Sequence, residues 1–275
     1  MDDLLRRRLE ALGAGPLPDA MRYSALAPGK RMRPILALAA FRAAGGAGDA
    51  IYGPACALEL IHAYSLVHDD LPDFDDDDLR RGRHTSHIVH GEPLALAAGF
   101  ALLTEGLAWL GEAHGELSRD LLRTVTRAVG LGGMIGGQYL DLLCEGREPE
   151  PGELLRIHAG KTGRLIEAAV DTGALVAGAD SRVRAGLARY AEALGLAFQI
   201  ADDLLDALGV EGVTGKSMGT DAAAGKATFV SLYGLDGARR RAHEAAARGR
   251  VEARALRVRD DLLVQLADFV IERAH

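Results

Sequence analysis

Almost nowhere in this chain do apolar and polar residues alternate with the period of two that a half-buried strand needs. Apolar residues recur at three- and four-residue steps instead, and the leucines and alanines that fill those positions are strong helix formers. The pattern predicts helices over 2–13, 18–27, 31–43, 50–71, 92–113, 117–145, 151–177, 181–207, 225–247 and 257–273. Glycine and proline supply the punctuation, in "AGGAGD", "EGREPEPG" and "AGADS". No low-complexity linker divides the 275 residues. The expectation is an all-α chain folded as one domain, 1–275, a bundle of about ten helices around a central cavity.

Two segments break the helical pattern, and both follow long apolar helices. The first, "LVHDDLPDFDDDDLRRGRH" (66–84), places seven aspartates in ten positions, 69–78. Two carboxylates ~5 Å apart repel by about 3 kcal/mol at an effective dielectric near 20. Pro72 ends the preceding helix. The second, "GVEGVTGKSMGTDAAAGKAT" (209–228), is rich in glycine and carries Lys216 and Lys226. Their placement predicts two acidic helix ends facing one cavity.

The helices leading into these segments are polar where a buried helix should be apolar. In "LGLAFQIADDLLDALG" (194–209), Gln199, Asp202, Asp203 and Asp206 fall at i, i+3, i+4 and i+7, one helix face. A solvated stripe is the plain reading. Like charges at i,i+4 destabilise a helix, though, and no lysine on this one compensates them. In "ACALELIHAYSLVHDD" (55–70), His62, Ser65 and Asp69 line one side of an otherwise apolar helix. Oxygen-only clusters suit Mg²⁺, which keeps waters and takes substrate phosphates as further ligands. Basic runs stand close by: Lys30, Arg31 and Arg33 in "PGKRMRP", Arg80, Arg81 and Arg83 in "LRRGR", and Lys161 beside Thr162 in "HAGKTGRL". Carboxylates for metal and cations for outer phosphate oxygens are the parts of a Mg²⁺–diphosphate site.

Other classes fit less well. "TGKS" and "GKTG" resemble the end of a P-loop, but Val210 and Leu155 occupy the leading glycine positions and no strand precedes either. His84, His87 and His90 step by three, yet zinc normally takes a closed set with cysteine or carboxylate, so a polar loop and helix start is the reading there. The net charge of −7, without a basic stripe interleaved with aromatics, argues against nucleic acid. No run approaches 18 uninterrupted apolar residues, so no membrane span is expected. "MDDLLRRRLEALG" is not a signal peptide, and Cys56 and Cys144 lack ligand or framework spacing, which fits a reducing, cytoplasmic setting.

Taken together and in order, "GKRMRP", "ELIHAYSLVHDDLPDFDDDDLRRGR", "GGQYLDL", "HAGKTGRLIEAA", "FQIADDLLD" and "GKSMGTDAAAGKATF" resemble the trans-isoprenyl diphosphate synthase family, in particular its bacterial farnesyl diphosphate synthase branch. The resemblance implies the isoprenoid synthase type I fold, a homodimer, and Mg²⁺ (three ions with substrate, Mn²⁺ as a substitute). The implied reaction joins isopentenyl diphosphate head-to-tail to dimethylallyl or geranyl diphosphate. It also implies roles. "DDLPD" completes a short DDxxD at Asp73, but this branch uses DDxxxxD, and counting back five from Arg80 lands on Asp75. The implied metal ligands are therefore Asp69, Asp70 and Asp75, with Asp202, Asp203 and Asp206 opposite and Asp202 foremost among them. Lys30, Arg33, His62 and Arg81 resemble the isopentenyl diphosphate pocket. Arg80, Lys161, Lys216 and Lys226 resemble contacts to the allylic diphosphate. Thr162 and Gln199 are placed to offer oxygen dipoles to a developing carbocation.

Tyr64 lies five residues before Asp69, about 7.5 Å down an ideal helix, and resembles the floor that stops elongation at fifteen carbons. Ser65 is small enough to admit a ten-carbon chain. Geranylgeranyl or geranyl diphosphate are the alternative products. A class I terpene cyclase shares fold and first motif, but Lys30, Arg33 and the intact "DDLLD" argue against it. Two departures stand out. Pro28 replaces the glycine usual before "GKR", and Phe100 in "AGFALL" replaces the aspartate of "GDALL".

Overall fold

A computed structural model describes residues 1–144, 150–208, 228–256 and 261–272. Lys216 and Lys226 lie outside the described residues. Helices α1 (Asp2–Glu10) and α2 (Pro16–Ala25) lead into α3 (Met32–Ala43) and α4 (Tyr52–Asp69). A two-residue ribbon follows, β1 (Leu79–Arg80) antiparallel to β2 (Arg83–His84). Next come α5 (Ser86–His90), α6 (Glu92–Gly111), α7 (Glu116–Val129) and α8 (Met134–Leu143). Helix α9 (Pro151–His158) passes through a π-turn (Ala159–Gly163) into α10 (Arg164–Val176), and α11 (Ser181–Leu208), α12 (Phe229–Ala255) and α13 (Leu262–Glu272) complete the order. Apart from the ribbon, the described residues contain no strand, so the all-α expectation stands.

The most extensive contact runs between α11 and α12. Leu187, Tyr190, Leu194, Ala197, Ala201 and Leu204 recur along the buried face of α11 at three- and four-residue steps. Helix α12 answers with Ala238, Ala242, Ala245, Ala246, Gly249 and Ala253, small enough for two long backbones to approach. Helix α4 packs on α6, and α3 on α10. The α3–α10 approach rests on Gly173, where a Cβ would collide with the Ala37 carbonyl and the Phe41 backbone nitrogen. Helix α6 is long and apolar enough to cross a membrane, but it packs against α2, α4 and α7 as a core helix does.

Three local features depart from the sequence reading. The expected helix over 117–145 is two helices. Gly130, Gly132 and Gly133 lie between them, and a Cβ on Gly133 would strike the Ala128 carbonyl, so the chain folds back on the last turn of α7. The expected helix over 151–177 follows one path, but its middle widens into the π-turn that holds Lys161 and Thr162. The histidine run divides between β2 and α5. His84 is exposed, His87 is buried with Nδ1 3.1 Å from Thr85 Oγ1, and His90 packs edge-on against Tyr23.

Gly173→Ala should destabilise the fold by about 1–3 kcal/mol, because the α3–α10 approach leaves no room for the methyl group. Urea unfolding of the variant beside the natural protein measures this; an unchanged midpoint would show that the helices separate freely.

Candidate active site

Helix α4 ends at Asp69, and the chain turns sharply through Pro72. The Phe74 N–H donates to the Leu71 carbonyl (2.9 Å) and the Asp76 N–H to the same oxygen (3.2 Å), with Asp76 at a left-handed φ of 49°. Between them the Asp75 N–H donates to the Asp69 carbonyl at 2.9 Å. Six residues turn 600° on an ideal helix, which would set these aspartates on different faces. This backbone bond instead returns Asp75 to the end of α4, while Asp73 stays exposed. Asp70 is buried and accepts from Arg80 Nε at 2.5 Å. Arg80 also reaches Asp77 at 3.5 Å. Burial disfavours the Arg80 charge, but Asp70, Asp69 and Asp77 outweigh it and hold the guanidinium firmly protonated.

The second acidic motif fills the last turns of α11, where Asp202 and Asp206 are half-buried and Asp203 is buried. Asp203 Oδ1 accepts from Gln199 Nε2 at 2.9 Å, and its Oδ2 accepts from the Phe229 N–H at 2.7 Å. Asp203, which the sequence reading groups with the metal ligands, thus bonds to both α11 and α12. His158, at the end of α9, stacks on Phe229, and burial pushes its pKa down to about 4.

Cations from four segments enter the same region. Arg31, at a left-handed φ of 47°, binds Glu59 at 2.7 Å and Asp2 at 3.0 Å, tying the loop before α3 to α4 and α1. Arg33 is buried two residues on. Burial lowers its pKa to about 10 against the pull of Glu59, Asp202 and Asp69. Because Arg33 feels both Asp69 and Asp202, the ends of α4 and α11 share one neighbourhood. His62 is held neutral, first by burial and then by Arg33, Arg81 and Arg80. Arg33 Nε and His62 Nδ1 are buried and have no hydrogen-bond partner among the described residues. Such orphaned groups are costly to bury unless a ligand completes them. Arg81 donates to the Pro28 carbonyl at 2.7 Å, across a space that a side chain at Gly29 would fill. Lys30 is exposed.

The π-turn brings in Lys161, which binds Asp141 at 2.8 Å. Burial opposes its charge, but Asp69, Asp141 and Asp75 together raise its pKa above the ordinary value. Thr162 is half-buried beside it. The turn is reached because Gly137 of α8 lies directly against Gly160; a Cβ on Gly137 would collide with the Lys161 backbone nitrogen. Tyr64 is buried on α4, edge-on to His68, and the Ser65 hydroxyl donates to the His62 carbonyl at 2.9 Å. A groove of about 890 Å³ between α7, α10 and α11 contains none of the expected site residues, and its Arg184 and Arg164 are paired with Asp171 and Glu167.

Sequence reading missed two carboxylates. Glu59 and Asp141 stand inside the quoted motifs "ELIHAYS" and "GGQYLDL", but their cationic partners are 28 and 20 residues away. Among the described residues, no three His, Cys, Asp or Glu side chains converge tightly enough to hold an ion unaided.

The chain belongs to the polyprenyl synthetase family, whose model matches residues 16–258. It is 44% identical over 267 residues to the farnesyl diphosphate synthase of Escherichia coli, covering 94% of this chain and 89% of that one. It is 40% identical to the geranylgeranyl diphosphate synthase of Cyanophora paradoxa, covering 99% and 93%. A geranyltransferase from Helicobacter pylori, solved with magnesium and isoprenyl diphosphate, superposes with a TM-score of 0.84 at 29% identity, covering 98% and 95%.

Glu59→Gln should destabilise the fold by about 3 kcal/mol, because it leaves the partly buried Arg31 charge without its nearest partner. Urea unfolding checks this; a loss under about 0.5 kcal/mol would mean that Asp2 and the Ala25 and Ala27 carbonyls suffice.

Proposed function

We propose that this chain is a Mg²⁺-dependent trans-prenyltransferase that condenses isopentenyl diphosphate with dimethylallyl and then geranyl diphosphate to give farnesyl diphosphate. The observation that carries the reading is the backbone bond from Asp75 to Asp69, which brings the outer members of DDxxxxD to one helix end, where both carboxylates act on Lys161 and Asp69 also acts, with Asp202, on Arg33. Asp69, Asp75 and Asp202 are the carboxylates best placed to hold Mg²⁺, with Asp206 one turn beyond Asp202. Bound there, Mg²⁺ supplies neutralising charge to the diphosphate oxygens.

The chain's own groups do the rest. Lys161 and Arg80, with Lys216 and Lys226 outside the described residues, hold the allylic diphosphate so that it leaves with the C–O electron pair. Arg33, His62, Arg81 and Lys30 hold isopentenyl diphosphate, and the orphaned Arg33 Nε and His62 Nδ1 point to an anion completing that subsite. The allylic cation is attacked by the isopentenyl double bond. The resulting cation loses a proton to the released diphosphate. Thr162 and Gln199 direct oxygen dipoles at the positive charge, and the helical walls exclude water. No protein nucleophile takes part.

We also infer a homodimer and a cytoplasmic location. Ile135, Tyr139 and Leu143 recur at four-residue steps on α8 and are all exposed, an apolar stripe suited to a second copy. Both cysteines are buried, and two cysteines without framework spacing suit a reducing compartment. The reading extends to one domain spanning 1–275.

Incubation with isopentenyl and dimethylallyl diphosphates and Mg²⁺, followed by product sizing, tests the reaction. The expected product has fifteen carbons, and no condensation with any allylic primer would defeat the proposal. In the same assay Asp75→Ala should lose about 100-fold or more in turnover while Asp73→Ala stays close to the natural enzyme. The reverse result would shift the register to the short motif. Tyr64→Ala should lengthen the product and Ser65→Phe shorten it. Unchanged product profiles in both would remove Tyr64 as the floor.

A further inference from the structure

Asp202 and Asp203 are neighbours on α11, and a helix turns ~100° between them, so they cannot serve the same side equally. Asp203 is only 3% exposed. Its Oδ1 takes Gln199 Nε2 (2.9 Å), and its Oδ2 takes the backbone N–H of Phe229, the first residue of α12 (2.7 Å). The His158 ring covers this junction, stacked on Phe229 with centroids 5.4 Å apart and planes 21° from parallel. Its Nε2 lies 3.8 Å from Asp203 Oδ2, too far for a hydrogen bond. We propose that Asp203 is a positioning residue rather than a metal ligand: held by Phe229 beneath His158, it fixes which end of the Gln199 amide faces the reaction.

The argument rests on the prenyl-transfer reading and on the chemistry of two side chains. A side-chain amide has nearly the same shape either way round, so its neighbours decide its sense. A carboxylate only accepts, so only the NH₂ end of Gln199 can face Asp203. The Oε1 end is then turned away from Asp203. Gln199 lies at i−3 and i−7 from Asp202 and Asp206, so its free end shares their helix face. A carbonyl oxygen there presents the negative end of a fixed dipole to a cationic carbon; the reversed amide would present the positive end. The Phe229 bond keeps Asp203 from turning. His158 closes the junction by packing, because its ring nitrogen makes no bond to the carboxylate.

Asp203→Asn separates this role from metal binding. Asparagine can keep an oxygen on the Phe229 N–H while offering Gln199 an NH₂ group, which forces the glutamine amide to reverse. The expected kcat falls about 10- to 100-fold. KM for both diphosphates and the half-saturating Mg²⁺ concentration should stay within about twofold. Gln199→Leu should also lower kcat, and adding Asp203→Asn to it should cause no further loss. Without turnover, the rise in melting temperature produced by Mg²⁺ with inorganic diphosphate should persist in Asp203→Asn and shrink in Asp202→Asn. Natural-level kcat in Asp203→Asn, a raised Mg²⁺ requirement like that of Asp202→Asn, or losses that multiply in the double variant would each overturn the proposal. Should Asp203→Asn not fold, His158→Phe keeps the stack that His158→Ala removes. Recovery of kcat in the phenylalanine variant is expected, and its absence rejects the arrangement. Failure of the reaction itself would appear separately, as no prenyl product from the natural chain.

Discussion

Negative charge gathered at the C-terminal ends of two helices is the constraint on which the rest of this site depends. Helix C-termini already carry the negative half of the helix dipole. The chain nevertheless adds Asp69 and Asp70 at the end of α4, and Asp202, Asp203 and Asp206 in the last turns of α11. Relief comes from cations on other elements. Arg80 on the ribbon takes Asp70, Lys161 on the π-turn lies near Asp69 and Asp75, and Arg33 on α3 feels Asp69 and Asp202 together. These cations are themselves partly or fully buried, and the nearby carboxylates oppose the cost of burying their charge. A diphosphate arriving with divalent cations brings both signs into such a neighbourhood, and it can displace individual pairs without leaving an unbalanced charge behind.

Bringing those elements close enough requires backbone without side chains. Helix α8 meets the π-turn at Gly137 and Gly160, and the widened turn re-aims Lys161 relative to the regular helices on either side. The Arg81 guanidinium that binds the Pro28 carbonyl lies in the space a Cβ on Gly29 would take. Arg31 accepts a left-handed φ, a strained conformation for a residue with a side chain, and the pairings with Glu59 and Asp2 repay it. Glycines and strained residues thus cluster where charges converge.

This explains what could be read from the chain in advance. Long periodic segments such as 31–43 and 181–207 were legible because burial of one face decides them. The break inside 117–145 was not, since the apolar rhythm continues across the glycines while the clash with the Ala128 carbonyl depends on how α8 folds back. The count from Arg80 that the family resemblance supplied pointed to Asp75. The backbone bond that returns Asp75 to Asp69 closes a local turn around Pro72, which helical periodicity does not encode. The limit of periodicity is clearest at Asp202 and Asp203. Both fall within the breadth of one polar stripe, and the bond that ties Asp203 to the start of α12 comes from the Phe229 N–H, 26 residues further on. Glu59 and Asp141 escaped for the same reason: a pairing over 20 or more residues leaves no local pattern.

The proposed product-length floor extends this dependence on long-range support. A growing chain presses on whatever ends its pocket, so a stop must resist displacement as well as occupy space. Tyr64 meets His68 edge-on at 5.4 Å, and His68 meets Phe100 edge-on at 5.0 Å. His68 is anchored by Nε2 at 3.1 Å from the Leu96 carbonyl, in a space that exists because Gly99 has no side chain. The aromatic that replaces the family's usual aspartate is therefore the far end of a ladder that starts at the floor. Phe100 is itself 56% exposed, so close packing reaches no further than His68 and the Leu96 carbonyl that holds it. On that reasoning the proposed floor is braced within the α4–α6 interface by His68, while Phe100 covers that ring from the solvent side.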